Sequence, residues 1–138
     1  MKRYCLLALF LFTAQIFAQN IDSVKVGVLA KSTKSWDGNT LPSYSEGQPE
    51  ITILRVTVPP KQILKWHKHP VINAGIMLSG NLTVITETND TLNLKAGDTL
   101  IEVVGKFHFG INNGDIPAEI VVFYAGTEGS SLSVKKVK

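Results

Sequence analysis

An all-β fold is predicted for this chain by three features of its sequence: no sustained 3.6-residue periodicity of helical length beyond the first residues, a succession of short β-branched segments, and Gly, Pro, Asn or Asp between them at regular spacing. Such a succession closes into a sandwich or a barrel. A length of 138 residues with 44% hydrophobic and 18% charged residues suits one globular domain with a core of its own.

The first residues, MKRYCLLALFLFTAQIFAQN, stand apart. Lys2 and Arg3 precede an apolar run from Tyr4 to Phe12 that continues more weakly to Phe17, and Ala18 is a suitable last residue before cleavage. This three-part pattern predicts a secretory signal over residues 1–18, hence a secreted or periplasmic protein whose single domain occupies residues 19–138. Ile16 is larger than the small residue usual at its position and leaves the cut site open. Thr13 and Gln15 interrupt the run short of the roughly 20 residues a spanning helix needs, so no permanent membrane anchor is expected. Cleavage removes Cys5, the only cysteine, and with it any disulfide or thiolate ligand. It also lowers the basic count from 14 to 12 against 11 acids, so the net charge falls from +3 to +1 and no nucleic-acid surface is expected.

The segments then follow in order. DSVKVGVLA places Val24, Val26 and Val28 at period two, as in a half-buried strand. The polar connection KSTKSWDGNTLPSYSEGQPE carries Trp36 and Tyr44, expected as plugs at one end of the core. ITILRVTVPP is a β-branched strand closed by Pro59 and Pro60, and ILKWHKH is another, stopped by Pro70. INAGIMLSG and NLTVITET flank Gly80; Asn89-Asp90 turns into TLNLKAGD, and Gly97-Asp98 into TLIEVV. KFHFGIN and EIVVFYAG, with an Asn112–Asp115 turn between them, complete the series, and the KKVK terminus reads as a solvated tail.

Two of the three histidines lie in HKH. Side chains two apart on a strand share a face, so His67 and His69 project together while Trp66 and Lys68 face the other way. That spacing suits two imidazoles on one metal ion, and an antiparallel neighbour could bring His108 beside them. The spacing alone is equally consistent with two solvated histidines on an exposed face.

WHKHPVINAGIMLSG, followed some thirty residues later by AGDTLIEVVGKFHFGINN, resembles the two motifs of the cupin superfamily. His67 and His69 match the first motif's pair, Gly80 its closing glycine, Gly97-Asp98 the second motif's turn, His108 its histidine and Asn112 its late asparagine. The match runs over roughly residues 50–125. It implies a single double-stranded β-helix, a jelly-roll or cupin barrel, with a divalent transition metal (iron, manganese, nickel or zinc) held by the three histidines in the barrel mouth, and a homodimer. One position departs from the pattern: the family's acid is replaced by Asn73, a weaker ligand whose neutral carbonyl oxygen leaves the metal more positive and a better acceptor for an anionic or enolate-like ligand.

Glu102, six residues before His108, would share its face on a regular strand and is a candidate to face the ligand or stand behind the metal; as an acid among aliphatic residues it is expected to face solvent, or else to meet a cation. Asn112 is read as a turn residue or a group behind the ligands, and Met77 and Phe109 as barrel lining. The reading favoured is a binding module with a small-molecule ligand at the metal. The alternatives are a metal-dependent enzyme of dioxygenase or isomerase type, for which Glu102, Glu50, Tyr44 and Lys65 are the available acids and bases, and a metal-free structural or dimerisation module.

Overall fold

The structure is a computed structural model that describes residues 23–137; the predicted signal, residues 1–18, lies outside the described residues. Among the described residues there is no helix, and therefore none long and apolar enough to cross a membrane. The strands are β1 (Pro49–Val58), β2 (His67–Lys68), β3 (Ile72–Ser79), β4 (Asn81–Thr86), β5 (Thr91–Lys95), β6 (Thr99–Ile101), β7 (His108–Ile111), β8 (Ala118–Thr127) and β9 (Val134–Lys135).

They form two antiparallel sheets, ordered β1-β8-β3-β6 and β5-β4-β7-β2-β9. This is the predicted all-β architecture, and its inner faces follow strand alternation. On β8, Ile120, Val122 and Tyr124 are buried at period two; on β4, Leu82, Val84 and Thr86 are. All of these but Thr86 pack with Val58, Val71, Met77, Leu94 and Leu100 into one core between the sheets.

Gly80 passes the chain from β3 in one sheet to β4 in the other. Its φ of +69° is open to few side chains, and an added Cβ would lie 2.6 Å from the Pro117 carbonyl oxygen. The next reversal spans Thr86–Asn89, with Asn89 itself at a φ of +66°, one step earlier than the expected Asn89-Asp90 turn. Asparagine tolerates that conformation because its short amide bonds locally.

Several segments differ from expectation. Residues 23–30 form no strand, and Val24, Val26 and Val28 are 92%, 90% and 77% exposed; their alternation has no partner strand here to select it. ILKWHKH narrows to the two residues of β2, flanked by single bridges at Ile63 and His69. TLIEVV leaves its strand after Ile101. Trp36 packs against the core as expected, whereas Tyr44 is 79% exposed and plugs nothing. Within the terminal KKVK, Lys135 and Lys136 are not a free tail: Lys135 in β9 stands opposite His67, and the Lys136 amide donates to the Trp66 carbonyl.

Candidate metal centre

Between the sheets lies a cavity of about 100 Å³ with aliphatic walls from Val56, Leu82, Val84, Leu100 and Val122. Its polar lining is His67, His69, Asn73, Glu102, His108 and Tyr124. The two motifs meet here because β2 pairs antiparallel with β7 and sets His67 directly opposite His108. His69 follows where the chain leaves β2, and its bridge to Val104 keeps it beside the other two. One potential ligand atom from each of the three histidines lies within 4.8 Å of the others.

Each ring is oriented from behind. Nδ1 of His67 donates to the Lys65 carbonyl at 2.8 Å, Nδ1 of His69 to the Leu132 carbonyl at 2.6 Å, and Nδ1 of His108 to the Lys106 carbonyl at 3.0 Å. A carbonyl oxygen only accepts, so each Nδ1 carries a proton and Nε2 is the ring nitrogen left for a metal in all three rings. Burial lowers the pKa of His69 and of His108 to about 4, so both are neutral near pH 7, the form in which imidazole binds a metal.

Asn73 stands on β3, 3% exposed in the cavity wall, with its Nδ2 turned toward the Val71 carbonyl at 3.4 Å. Glu102 does not face solvent: it is 5% exposed and lines the cavity. Its Oε1 accepts from Trp36 Nε1 at 2.7 Å and from the Val103 amide at 2.9 Å, and its Oε2 lies 3.7 Å from His108 Nε2. Burial raises its pKa, against which the Trp36 hydrogen bond and the nearby imidazoles act. The solvent-facing expectation weighs an acid among aliphatic neighbours in the chain, while its side-chain donor, Trp36, lies 66 residues away.

The remaining expected residues fall elsewhere. Asn112, 0% exposed, is spent on its turn: Nδ2 donates to the Val58 and Ile116 carbonyls, and Oδ1 accepts from the Gly114 amide. Met77 belongs to the core and not to the cavity wall. Phe109 faces outward, edge-on to Trp66 at 4.7 Å, because the inward positions of β7 are His108 and Gly110. Tyr44 and Glu50 are exposed, and Lys65 contributes only its carbonyl.

Tyr124 is the site residue that the sequence reading overlooked. It is 6% exposed, edge-on to His69 at 5.4 Å, and burial followed by the Glu102 charge raises its pKa. The available signal was its place in EIVVFYAG, the one polar-tipped side chain in phase with the inward Ile120 and Val122.

The donor set suits a transition metal. Three imidazoles with Nδ1 engaged behind them leave positions open for a ligand on a shared metal, as in sites that bind or react rather than merely brace. Nitrogen ligands of one ion at about 2.0–2.1 Å stand roughly 3–3.5 Å apart, so small side-chain rotations bring these three into range.

Residues 54–124 match the family described as Cupin domain. Among solved structures, an uncharacterized Klebsiella pneumoniae protein with a double-stranded beta-helix domain matches with a TM-score of 0.55 at 22% identity, over 70% of this chain and 86% of that one. The DMSP lyase DddQ from Ruegeria pomeroyi matches with 0.55 at 21% identity, over 72% of this chain and 47% of that one. An oxalate decarboxylase from Lactobacillus farciminis, in a formate complex, matches with 0.53 at 21% identity, over 62% and 26%. At these identities the likeness is one of fold, and this chain corresponds to under half of either enzyme. No curated protein matches the sequence significantly.

Proposed function

The chain belongs to the cupin domain family, and from that premise we propose that it binds a divalent transition metal through His67, His69 and His108 and takes a small-molecule ligand at that metal. The observation that carries this reading is the convergence of three imidazoles whose Nδ1 protons are all held by backbone carbonyls, so that three lone pairs point into one cavity. A cation bound there supplies Lewis acidity and a positive charge for an anionic or carbonyl oxygen. The protein does the rest. Aliphatic walls exclude water and strengthen every charge interaction inside, and a cavity of about 100 Å³ limits the ligand to few heavy atoms.

A second reading, a metal-dependent enzyme, is favoured by one observation: Glu102 and Tyr124 place a carboxyl and a phenol in the same cavity as the imidazoles. Either group can hold or move a proton beside a bound carbonyl compound. Turnover of dioxygen or of a small carbonyl acid by the metal-loaded protein distinguishes this reading from binding alone. That the lyase and the decarboxylase are enzymes is a property of those proteins; here it only names substrate classes worth screening.

Two further parts of the proposal concern setting. Residues 1–18 direct export to a periplasmic or extracellular space, which N-terminal mass analysis of the protein from culture checks. The chain pairs as a homodimer through the outer face of the β1-β8 sheet, where Ile51, Ile53 and Phe123 are exposed.

The deciding measurement is elemental analysis of protein purified without a histidine tag, beside a His67→Ala/His108→Ala variant. Close to one equivalent of metal in the parent and a trace in the variant is the expected result. Equal traces in both after incubation with divalent iron, manganese, nickel and zinc would overturn the metal reading and leave a structural barrel.

A further inference from the structure

Asn73 and Glu102 are neighbours on adjacent backbone segments. β3 pairs with β6 through Ala74 opposite Ile101, and the Glu102 amide donates to the Asn73 carbonyl at 3.0 Å just beyond that pair. Both side chains line the cavity, so a carboxylate at position 102 reaches the same space as one at position 73 would.

The orientation of that carboxylate is set by two donors on one oxygen. Trp36 Nε1 and the Val103 amide both reach Oε1, which leaves Oε2 toward the histidines. There it faces His108 Nε2 at 3.7 Å, and that nitrogen carries a lone pair because Nδ1 donates to the Lys106 carbonyl. Two acceptors therefore face each other in a buried cavity, an arrangement that repels unless a cation or a shared proton lies between them.

Trp36 belongs to the segment ahead of β1 and is anchored for this task. Its amide donates to the Ile101 carbonyl at 2.9 Å, one residue before Glu102, and its ring packs against the core. Asp37 beside it is tied to Lys106 at 3.1 Å. The loop is thus fixed both to the end of β6, just before Glu102, and to the segment that leads into His108.

We propose that Glu102 is the fourth protein ligand of the metal, supplying from the end of β6 the anionic oxygen that Asn73 does not supply from β3, with Trp36 as the residue that positions it. This rests on the three-histidine metal reading above. The ligand is monodentate through Oε2, since Oε1 is spent on its two donors. The site then holds a divalent ion with one compensating charge, as a carboxylate at position 73 would have left it.

The test uses Co²⁺ as a spectroscopic probe of ligation in the tag-free protein, with affinity read by chelator competition. Glu102→Gln keeps the shape and removes the charge. It is expected to weaken Co²⁺ binding by tenfold or more and to shift the visible absorption bands of the bound ion. Trp36→Phe keeps the packing and removes the donor; a loss of about tenfold is expected, the size seen when groups behind metal ligands are removed. Infrared difference spectra of the unmodified protein with and without Zn²⁺ are expected to show a shifted carboxylate stretch, which needs no variant to fold. Wild-type affinity and unchanged bands in Glu102→Gln, or no carboxylate shift on Zn²⁺ binding, would overturn the proposal while leaving the three histidines in place. Failure of the unmodified protein to bind Co²⁺ or Zn²⁺ would instead overturn the reading on which it rests.

Discussion

His69 shows how much a ligand depends on the atom behind it. The Leu132 carbonyl at 2.6 Å holds the Nδ1 proton, and only that bond commits the other nitrogen to the cavity. His67 and His69 were readable as a pair because strand spacing is a side-chain property, and His108 because its motif carried it. The carbonyls that orient all three were not readable, since every residue has one and nothing in the sequence says which will be near. Glu102 was legible as a ligand-facing candidate, but its burial was not, for the same reason: its partner Trp36 is distant in the chain and adjacent in space. A residue that was readable and is open to test is Gly80. Replacement by alanine forces a φ of +69° on an L side chain and drives Cβ to 2.6 Å from the Pro117 oxygen and 2.8 Å from the Ala118 Cα. Backbone atoms cannot rotate away, so Gly80→Ala is expected to cost about 1–3 kcal/mol, read as a lower urea midpoint with an unchanged slope. A midpoint within error of the parent would show that the β3–β4 crossing relaxes freely.

At the scale of elements, the strands that were legible are those whose alternation is enforced from both sides. β3 lies between β8 and β6, and its buried residues follow period two from Asn73 through Met77. DSVKVGVLA has the same alternation, yet Val24, Val26 and Val28 lie exposed, since a pattern of valines states that a face can be buried and not that a partner is present. The error at the other terminus was opposite in sign. KKVK looked like a solvated tail by charge, but β9 completes the sheet behind the site: it pairs with β2 opposite His67 and Lys68, and the segment leading into it supplies the Leu132 carbonyl to His69. Lys charges do not preclude an edge strand, because their ends reach solvent, as Lys136 does over the Trp66 ring. The site therefore draws support from segments on both sides of the region that carries the motifs. Ending the chain at Ser131 removes the His69 acceptor together with the strand beside His67. Metal affinity is expected to fall by about tenfold to a hundredfold, while Glu102 and His108 keep their own partners. Chelator competition with the shortened protein measures it, and an unchanged affinity would show that the ring of His69 is held by packing alone.

For the whole molecule, the two sheets differ in what they leave outside. The sheet that carries β2 and β7 turns outward a mixed surface in which Lys68 and Lys136 lie over the Phe107 ring. The other turns outward Ile51 and Ile53 on β1, an edge strand, with Phe123 directly opposite Ile53 on β8. These are 63%, 57% and 46% exposed, and they place large apolar side chains together on one outer face. Their inward neighbours Val56, Val58 and Tyr124 line the cavity, so a change on the outer face leaves the site walls untouched. A second copy of the chain covers this face in the homodimer we propose, and sedimentation equilibrium is expected to give twice the chain mass at micromolar concentration. Ile53→Glu with Phe123→Glu places like charges at one cross-strand pair and again wherever the two faces meet, so the variant is expected to sediment as a monomer. Metal content decides how that result is read. A monomeric variant that keeps its full metal complement locates the interface on this face and shows the site to be complete within one chain, whereas a parent protein that is monomeric at every concentration would remove the dimer.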